Sequence, residues 1–392
     1  MLASVQPSLF ERMVTFRREL HRHPELSWKE RCTADRIAGE LDRLGIPARR
    51  LVETGVVADI QGPSGVPLVA LRADVDALPI QEETGLSFAS CESGVMHACG
   101  HDAHASMLLG AAELLGDSPR PLPAGVRLIF QPAEEVGDGA TAMIRAGALD
   151  GVGAIFGGHV DRHFPTDTIV AAEGIVNAST DSFRISIRSI DGHAARPHET
   201  VDTVVVGSLI VMALQTIVSR EIDPSHPSVL TVGRFDAGTA RNVIAGAALL
   251  EGTVRAQDAE VRDHLLRSLK RICESVGLLH AVDIRLEIDE GTPALVNAGP
   301  MVAVAREAAA AVLGAGGVRS MVRSANMGGE DFSHYLEHVP GCYVRYGARS
   351  EESVPYPAHS SRFDIDERVL ATGAAWLAEV AWRAGRVVAR EM

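Results

Sequence analysis

Apolar runs rich in Val, Ile and Leu recur through the first part of the chain, at 54–60 (TGVVADI), 66–71 (VPLVAL), 126–130 (VRLIF) and 152–158 (VGAIFGG). Helical stretches at 103–116 and 138–147 separate them. Continuous apolar strands alternating with helices predict a mostly parallel sheet covered on both faces, because each parallel strand is buried on either side. From about residue 183 the pattern changes. Residues 183–190 (FRISIRSI) alternate apolar and polar positions, the period of a strand with one face in solvent. A helical run at 201–219 follows, then two strand-like runs at 228–236 and 246–255, a helix at 258–276 and an alternating strand at 281–288. That order is βαββαβ, the ferredoxin-like arrangement. The chain then returns to helix (300–313), strand (341–346) and helix (366–388). The predicted class is α/β: a discontinuous domain, 1–182 plus 295–392, interrupted by a smaller ferredoxin-like α+β domain at 183–294.

Composition narrows the partners. The 37 basic and 51 acidic residues leave a net charge of −14, which disfavours phosphate backbones and anionic membranes. Neither nucleic acid nor a membrane is expected. No apolar run approaches the roughly 20 residues of a membrane span, and the charged N-terminal stretch does not resemble a secretory leader, so a cytoplasmic protein is expected. The five cysteines, at 32, 91, 99, 273 and 342, are odd in number and scattered, unlike a disulfide framework. A cysteine with a special role is therefore sought as a ligand or nucleophile.

Residues able to bind metal collect just after the strands of the larger domain, where open α/β sheets form their ligand crevice. The run 66–71 leads into Arg72-Ala73-Asp74-Val75-Asp76, the run 126–130 into Gln131-Pro132-Ala133-Glu134-Glu135, and the run 152–158 into His159. Between the first two lies a block from His97 to His104 that also holds Cys99 and His101. Cys99 and His101 flank Gly100 and can address one centre without a side-chain clash. A lone core His or Cys is usually structural, and Glu134-Glu135 taken alone could be a solvated helix N-terminus. Following an apolar strand, the pair can also divide labour, one carboxylate ligating while the other takes a proton from activated water. The chain lacks a Gly-x-Ser-x-Gly elbow, a phosphate loop ending in Gly-Lys-Ser/Thr and a His-Glu-x-x-His helix.

The motifs together are HRHPELSWKE (21–30), LRADVDALPI (71–80), GVMHACGHDAHASMLLGAA (94–112), QPAEEVGDGA (131–140), GGHV (157–160), GHAARPHE (192–199), GGEDF (328–332) and His359-Ser360. In this order the chain resembles the amidohydrolase branch of the aminoacylase and carboxypeptidase-like dinuclear metallopeptidases. That group holds hippurate hydrolases, N-acyl-L-amino acid amidohydrolases, auxin-conjugate hydrolases and N-acetyldiaminopimelate deacetylase. The resemblance implies two divalent ions, Zn²⁺ or Mn²⁺ with Co²⁺ or Ni²⁺ as alternatives, held by Cys99, His101, Glu135, His159 and His359, with Cys99 bridging. It implies Glu134 as general base and later proton donor, and Asp74 as an orienter that is not itself a ligand. His193 would act in the site of the other subunit of a homodimer, the inserted domain serving as lid and dimerisation element, and Asn242 would hold the substrate. His23 and Glu25 are expected to be structural, and Gly328-Gly329 to mark a close backbone approach. The implied activity is cleavage of the amide of small N-acyl amino acids. A dipeptidase, a dedicated deacetylase and a silent conjugate-binding protein are the rival readings.

Overall fold

The computed structural model describes residues 5–320, 326–350, 354 and 356–390. They form two compact units. The first is built from the described residues of Met1–Val176, Val296–Arg323 and Asp331–Met392, the second from those of Asn177–Leu295 and Ser324–Glu330.

The first unit is organised on an eight-stranded sheet. At its centre Val126–Gln131, Leu68–Asp74, Val152–Pro165 and Gly341–Arg349 lie side by side, all parallel. The flanks depart from the pattern: Gly55–Ile60 runs antiparallel to both Val126–Gln131 and Ala48–Leu51, and Ile169–Val170 runs antiparallel to Gly341–Arg349. The composition of an apolar run does not encode its direction, so the sequence pattern is silent on this.

Strand Val152–Pro165 extends well past the expected 158. Its pairing with Leu68–Asp74 stops at Phe156, and beyond it only Gly341–Arg349 continues alongside. His159 therefore sits within a strand that projects past its neighbour.

Helix His101–Gly116 is buried along nearly its whole length and packs against helices Pro7–Arg22 and Val369–Val388. The packing is close: a Cβ on Gly373 would lie 1.8 Å from Sδ of Met107. Pro7–Arg22 and Arg31–Arg43 were not expected from the sequence. The inward stripe of the former is Leu9, Met13, Arg17 and Leu20. Arg17 takes a core position because Asp102, 2.7 Å from its Nε and equally buried, neutralises it.

The second unit is an antiparallel sheet in the order Ser228–Ala237, Ala247–Ala256, Ser179–Arg188, Asp283–Asp289. Helices Thr203–Thr216 and Ala259–His280 cover it, giving the βαββαβ order. Phe183, Ile185 and Ile187 face Val206, Ile210, Leu265 and Leu269 in its core. Asp258 caps the second helix, accepting from the amides of Glu260 and Val261. The unit begins at Asn177 because the polar residues Ser179–Ser182 open the first strand ahead of its alternating part.

Among the described residues one helix, Thr203–Glu221, is long and apolar enough to cross a membrane, with mean hydropathy 1.7. It is the helical run expected at 201–219, and Gly207, Ser208, Gln215 and Thr216 interrupt its apolar residues. It lays Val206, Ile210, Leu214 and Ile217 into the core of the second unit and exposes Val204, Val205, Leu209 and Met212.

Candidate metal centre

The centre is assembled from the first unit, at the turns that follow its central strands. Gly100 makes the first turn. Its φ of +91° favours glycine, and a Cβ there would stand 2.5 Å from Val160 Cγ2. The chain thus passes from Cys99 into the helix that opens with His101.

Hydrogen bonds fix which nitrogen each histidine presents. His101 Nδ1 donates to the Asp76 carbonyl (3.0 Å) and carboxylate (3.1 Å), which leaves Nε2 buried with no partner. His159 Nδ1 donates to the Val160 carbonyl (2.8 Å), so its Nε2 faces Cys99 Sγ at 3.1 Å. His104 has both nitrogens committed: Nδ1 donates to Asp74 (2.5 Å) and Nε2 accepts from the Val160 amide (2.9 Å). Of the block's histidines, His104 is therefore a prop for its neighbours.

The carboxylates close the centre. Asp76 Oδ2 accepts from the Glu135 amide (3.0 Å) and from Ser27 Oγ (2.7 Å). One Glu135 oxygen lies 3.4 Å from His359 Nε2, and the other, buried and without a hydrogen bond, lies 3.9 Å from His101 Nε2. Glu134 Oε2 lies 3.9 Å from the same Nε2. His359 arrives on a left-handed turn, φ +67°, with its amide donating to the Ala98 carbonyl. Donor atoms of Cys99, His101 and His159, of Cys99, Glu135 and His359, and of His101, Glu134 and Glu135 each lie within 4.8 Å of one another.

Behind these groups lies a charged layer. Arg72 donates to Asp74 (2.6 Å), Gln131 (2.8 Å) and Asp331 (2.8 Å), all buried, and Asp331 also accepts from Gln131 and from the Ala140 amide. Burial opposes the charge of Asp74, but His101, His104 and Arg72 outweigh it and hold its pKa well below the carboxylate norm. Burial, then the neighbouring His104 and Arg345, push His159 well below the imidazole norm and keep its ring neutral. Burial and Glu135 push the Cys99 thiol up.

These residues fit a divalent cation. His101 Nε2 and a Glu135 oxygen are buried without partners, and the donor separations of 3.1 to 3.9 Å suit atoms sharing ions at about 2.0 to 2.3 Å. A bound cation also deprotonates a coordinating thiol that burial alone keeps protonated.

Two of the predicted residues belong to the second unit. His193 and Asn242 sit together on a ribbon, Gly192–His193 paired with Val243–Ile244, and the Ala194 amide donates to the Asn242 carbonyl. Both side chains are exposed. His193 Nδ1 accepts from the Ala195 amide (3.0 Å), so a neutral ring carries its proton on Nε2. Gly328 and Gly329 also lie in the second unit, crowded by Asn177, Thr180 and Thr292. His23 is half-exposed and makes only a 3.7 Å approach to Glu19, whereas Glu25 caps Arg31–Arg43 by accepting from the Cys32 and Thr33 amides. Asp76, Ser27 and the propping role of His104 escaped the sequence reading. The Asp-x-Asp spacing at 74–76 offers two carboxylates, and only the fold shows that Asp76 takes His101 while Asp74 takes His104.

The chain matches the peptidase family M20/M25/M40 over residues 70–383. It belongs to that family. It is 39% identical over 377 residues to an N-acetyl-L-cysteine deacetylase of Bacillus subtilis, covering 96% of this chain and 89% of the relative. It is 37% identical over 380 residues to the IAA-amino acid hydrolase ILR1-like 4 of Arabidopsis thaliana, covering 95% and 86%. Among solved structures it is similar to the YXEP protein of Bacillus subtilis, described as a dinuclear metal binding peptidase from the M20 family, with a TM-score of 0.84, 35% identity and coverage of 97% and 99%. This M20 family member is thus a metal-dependent, amide-cleaving hydrolase, and the family and its dinuclear neighbour support two divalent ions.

Proposed function

We propose that the enzyme hydrolyses N-acyl amino acids to a carboxylic acid and a free amino acid. One observation carries the chemistry: the donor atoms of Cys99, His101, Glu135, His159 and His359 converge beside Glu134, with His101 Nε2 and a Glu135 oxygen buried and unpartnered. The names of the Bacillus and Arabidopsis relatives, a deacetylase and an amino acid conjugate hydrolase, support the substrate class.

Those five residues would hold two Zn²⁺ or Mn²⁺ ions; Co²⁺ and Ni²⁺ suit the same thiolate, imidazole and carboxylate set. When bound, the ions polarise the scissile carbonyl and acidify water. Glu134 takes the proton of the attacking water as the new C–O bond forms, then delivers it to the amide nitrogen as the C–N bond breaks. The Nε2–H of His193 from a second copy of the chain would donate to the carbonyl oxygen where negative charge develops. Asn242, its ribbon neighbour, holds the carboxylate of the amino acid. Asp74 and Asp76 keep the histidine rings in their working tautomers.

The second unit serves in this reading as lid and dimerisation element. Its edge strand Ser228–Ala237 and the exposed Val204, Val205, Leu209 and Met212 offer a second copy both backbone pairing and apolar area. All five cysteines are free, two of them exposed, which suits a reducing cytoplasm.

The test is a screen of metal-loaded protein against N-acetyl, N-benzoyl and long-chain N-acyl amino acids and dipeptides, with elemental analysis. N-acyl amino acids are expected to be cleaved, with close to two ions per chain, and chelation to abolish the rate. Full activity without metal, or turnover confined to dipeptides, overturns the proposal.

A further inference from the structure

The stretch 21–30, HRHPELSWKE, has no part in the chemistry above, yet two of its side chains reach the turns that carry it. Ser27 Oγ donates to the Asp76 oxygen that also receives the Glu135 amide. Glu30 is completely buried, and its carboxyl accepts the amide of Ala133 at 2.9 Å, one residue before Glu134. Ala133 is itself buried and holds a φ of +55°, a conformation unfavourable for any residue with a Cβ. The rest of the turn closes on this point: the Gly139 amide donates to the Ala133 carbonyl and the Gly137 amide to the Glu134 carbonyl.

We propose that Glu30 is a positioning residue for Glu134, its buried carboxyl clamping the left-handed Ala133 turn that aims Glu134 at the substrate. A carboxyl is an unfavourable choice for a mere core filler, since burying it without water is costly. Burial, reinforced by nearby Asp76, raises its pKa, and the Ala133 amide works against that shift by donating to the carboxylate. Without it, a buried N–H next to Glu134 loses its acceptor and a strained turn loses its tether.

The proposal rests on Glu134 being the proton carrier, so Glu134→Ala is measured in parallel. Glu30→Met, similar in length but with no acceptor, and Glu30→Ala are compared with Glu30→Gln, whose amide carbonyl can take the Ala133 N–H. Without an acceptor, kcat is expected to fall on the order of 10 to 100-fold, as for a small misplacement of a catalytic group, with KM and metal content unchanged. Hydrogen–deuterium exchange by mass spectrometry should quicken in the peptide spanning 131–139 in the same variants. Glu30→Gln should restore both readouts. Glu30→Met keeps the question answerable where Glu30→Ala fails to fold. The clamp is refuted if Glu30→Met keeps its kcat and its exchange rate while Glu134→Ala is inactive, or if Glu30→Gln is as impaired as Glu30→Met. A fully active Glu134→Ala instead overturns the assignment of Glu134, whatever Glu30 does.

Discussion

The polar side chains of the two units are held in opposite ways. In the first unit His101, His104 and Asp74 are wholly or almost wholly buried, and each has a carboxylate, an arginine or a backbone group assigned to it. In the second unit His193 and Asn242 stand exposed on a two-stranded ribbon, and the imidazole is fixed by the amide two residues on. The first arrangement preorganises donors before any ligand arrives, at the expense of desolvating many charges. The second leaves both side chains in solvent, and in the proposed function substrate and a second copy of the chain would complete their environment. Substitutions in the buried set should therefore disturb metal and stability together, and those on the ribbon should disturb catalysis alone.

The largest effect separates Glu134 from Glu135, two partly exposed neighbours beside the buried set. Glu134→Ala should keep its metal and its fold but lose about 10² to 10⁴ in rate, the span of positioned acid–base catalysis. Glu135→Ala should lose metal, seen by elemental analysis. Two variants that both retain metal and rate would abolish the division of labour.

The ribbon comes next. His193→Ala should lose about 10² to 10³ in kcat, as when one donor to a developing oxyanion is removed, with its Tm unchanged. In a C2 dimer with sites completed across the interface, mixing His193→Ala with Glu134→Ala should restore about one quarter of wild-type activity, because about half the dimers are mixed and each has one intact site of two. No recovery after demonstrated subunit exchange would assign His193 to its own chain or to no catalytic role.

The smallest effect is on stability. Arg17 and Asp102 form a wholly buried pair, joined by His21 at 2.8 Å from Asp102. Asp102→Asn leaves Arg17 with only its longer contacts to Glu367 (3.3 Å) and Asp364 (3.5 Å) and should cost about 2 kcal/mol in urea unfolding. Burial opposes the Asp102 charge, but Arg17 and His21 more than offset it and depress its pKa. A depressed carboxylate stabilises the fold above its unfolded pKa of about 3.9 and loses that contribution as pH falls toward the folded value. Because Asp102 also helps raise the pKa of His21, the comparison is made below about pH 5.5, where the His21 contribution is fully present, and there the gap between wild type and Asp102→Asn should narrow below about pH 4. A gap that widens in acid contradicts the assignment.

Much of this was visible in the sequence, for physical reasons. The βαββαβ order could be read because residues 183–188 alternate strictly, and Glu135 and His159 could be set beside the Cys99–His101 block because each follows an apolar strand. Other features were hidden where charge occupies the core. The stripe of Pro7–Arg22 is periodic, but Arg17 interrupts it, and only the contact with Asp102 explains an arginine there. Asp74 and Asp76 are the same residue type two positions apart, and which one supports His101 depends on where strand Leu68–Asp74 ends. Nothing in the motif HRHPELSWKE marks Glu30 as the acid that the fold lays against Ala133.

The parallel pairing of Val152–Pro165 with Gly341–Arg349 also dictates a timetable. During synthesis the first of these strands leaves the ribosome well before its partner, with residues 166–340 made in between, at roughly 5 to 20 residues per second. The second unit has nearly all its strands and helices in the stretch 177–295 and can close during that interval, while the sheet of the first waits with one edge of its central strand bare. Cys99 and His101 then precede His359 by many seconds, so the nascent chain carries part of the proposed ligand set long before the rest of it exists. A cell making this enzyme must keep that exposed strand from pairing elsewhere until Gly341–Arg349 is made.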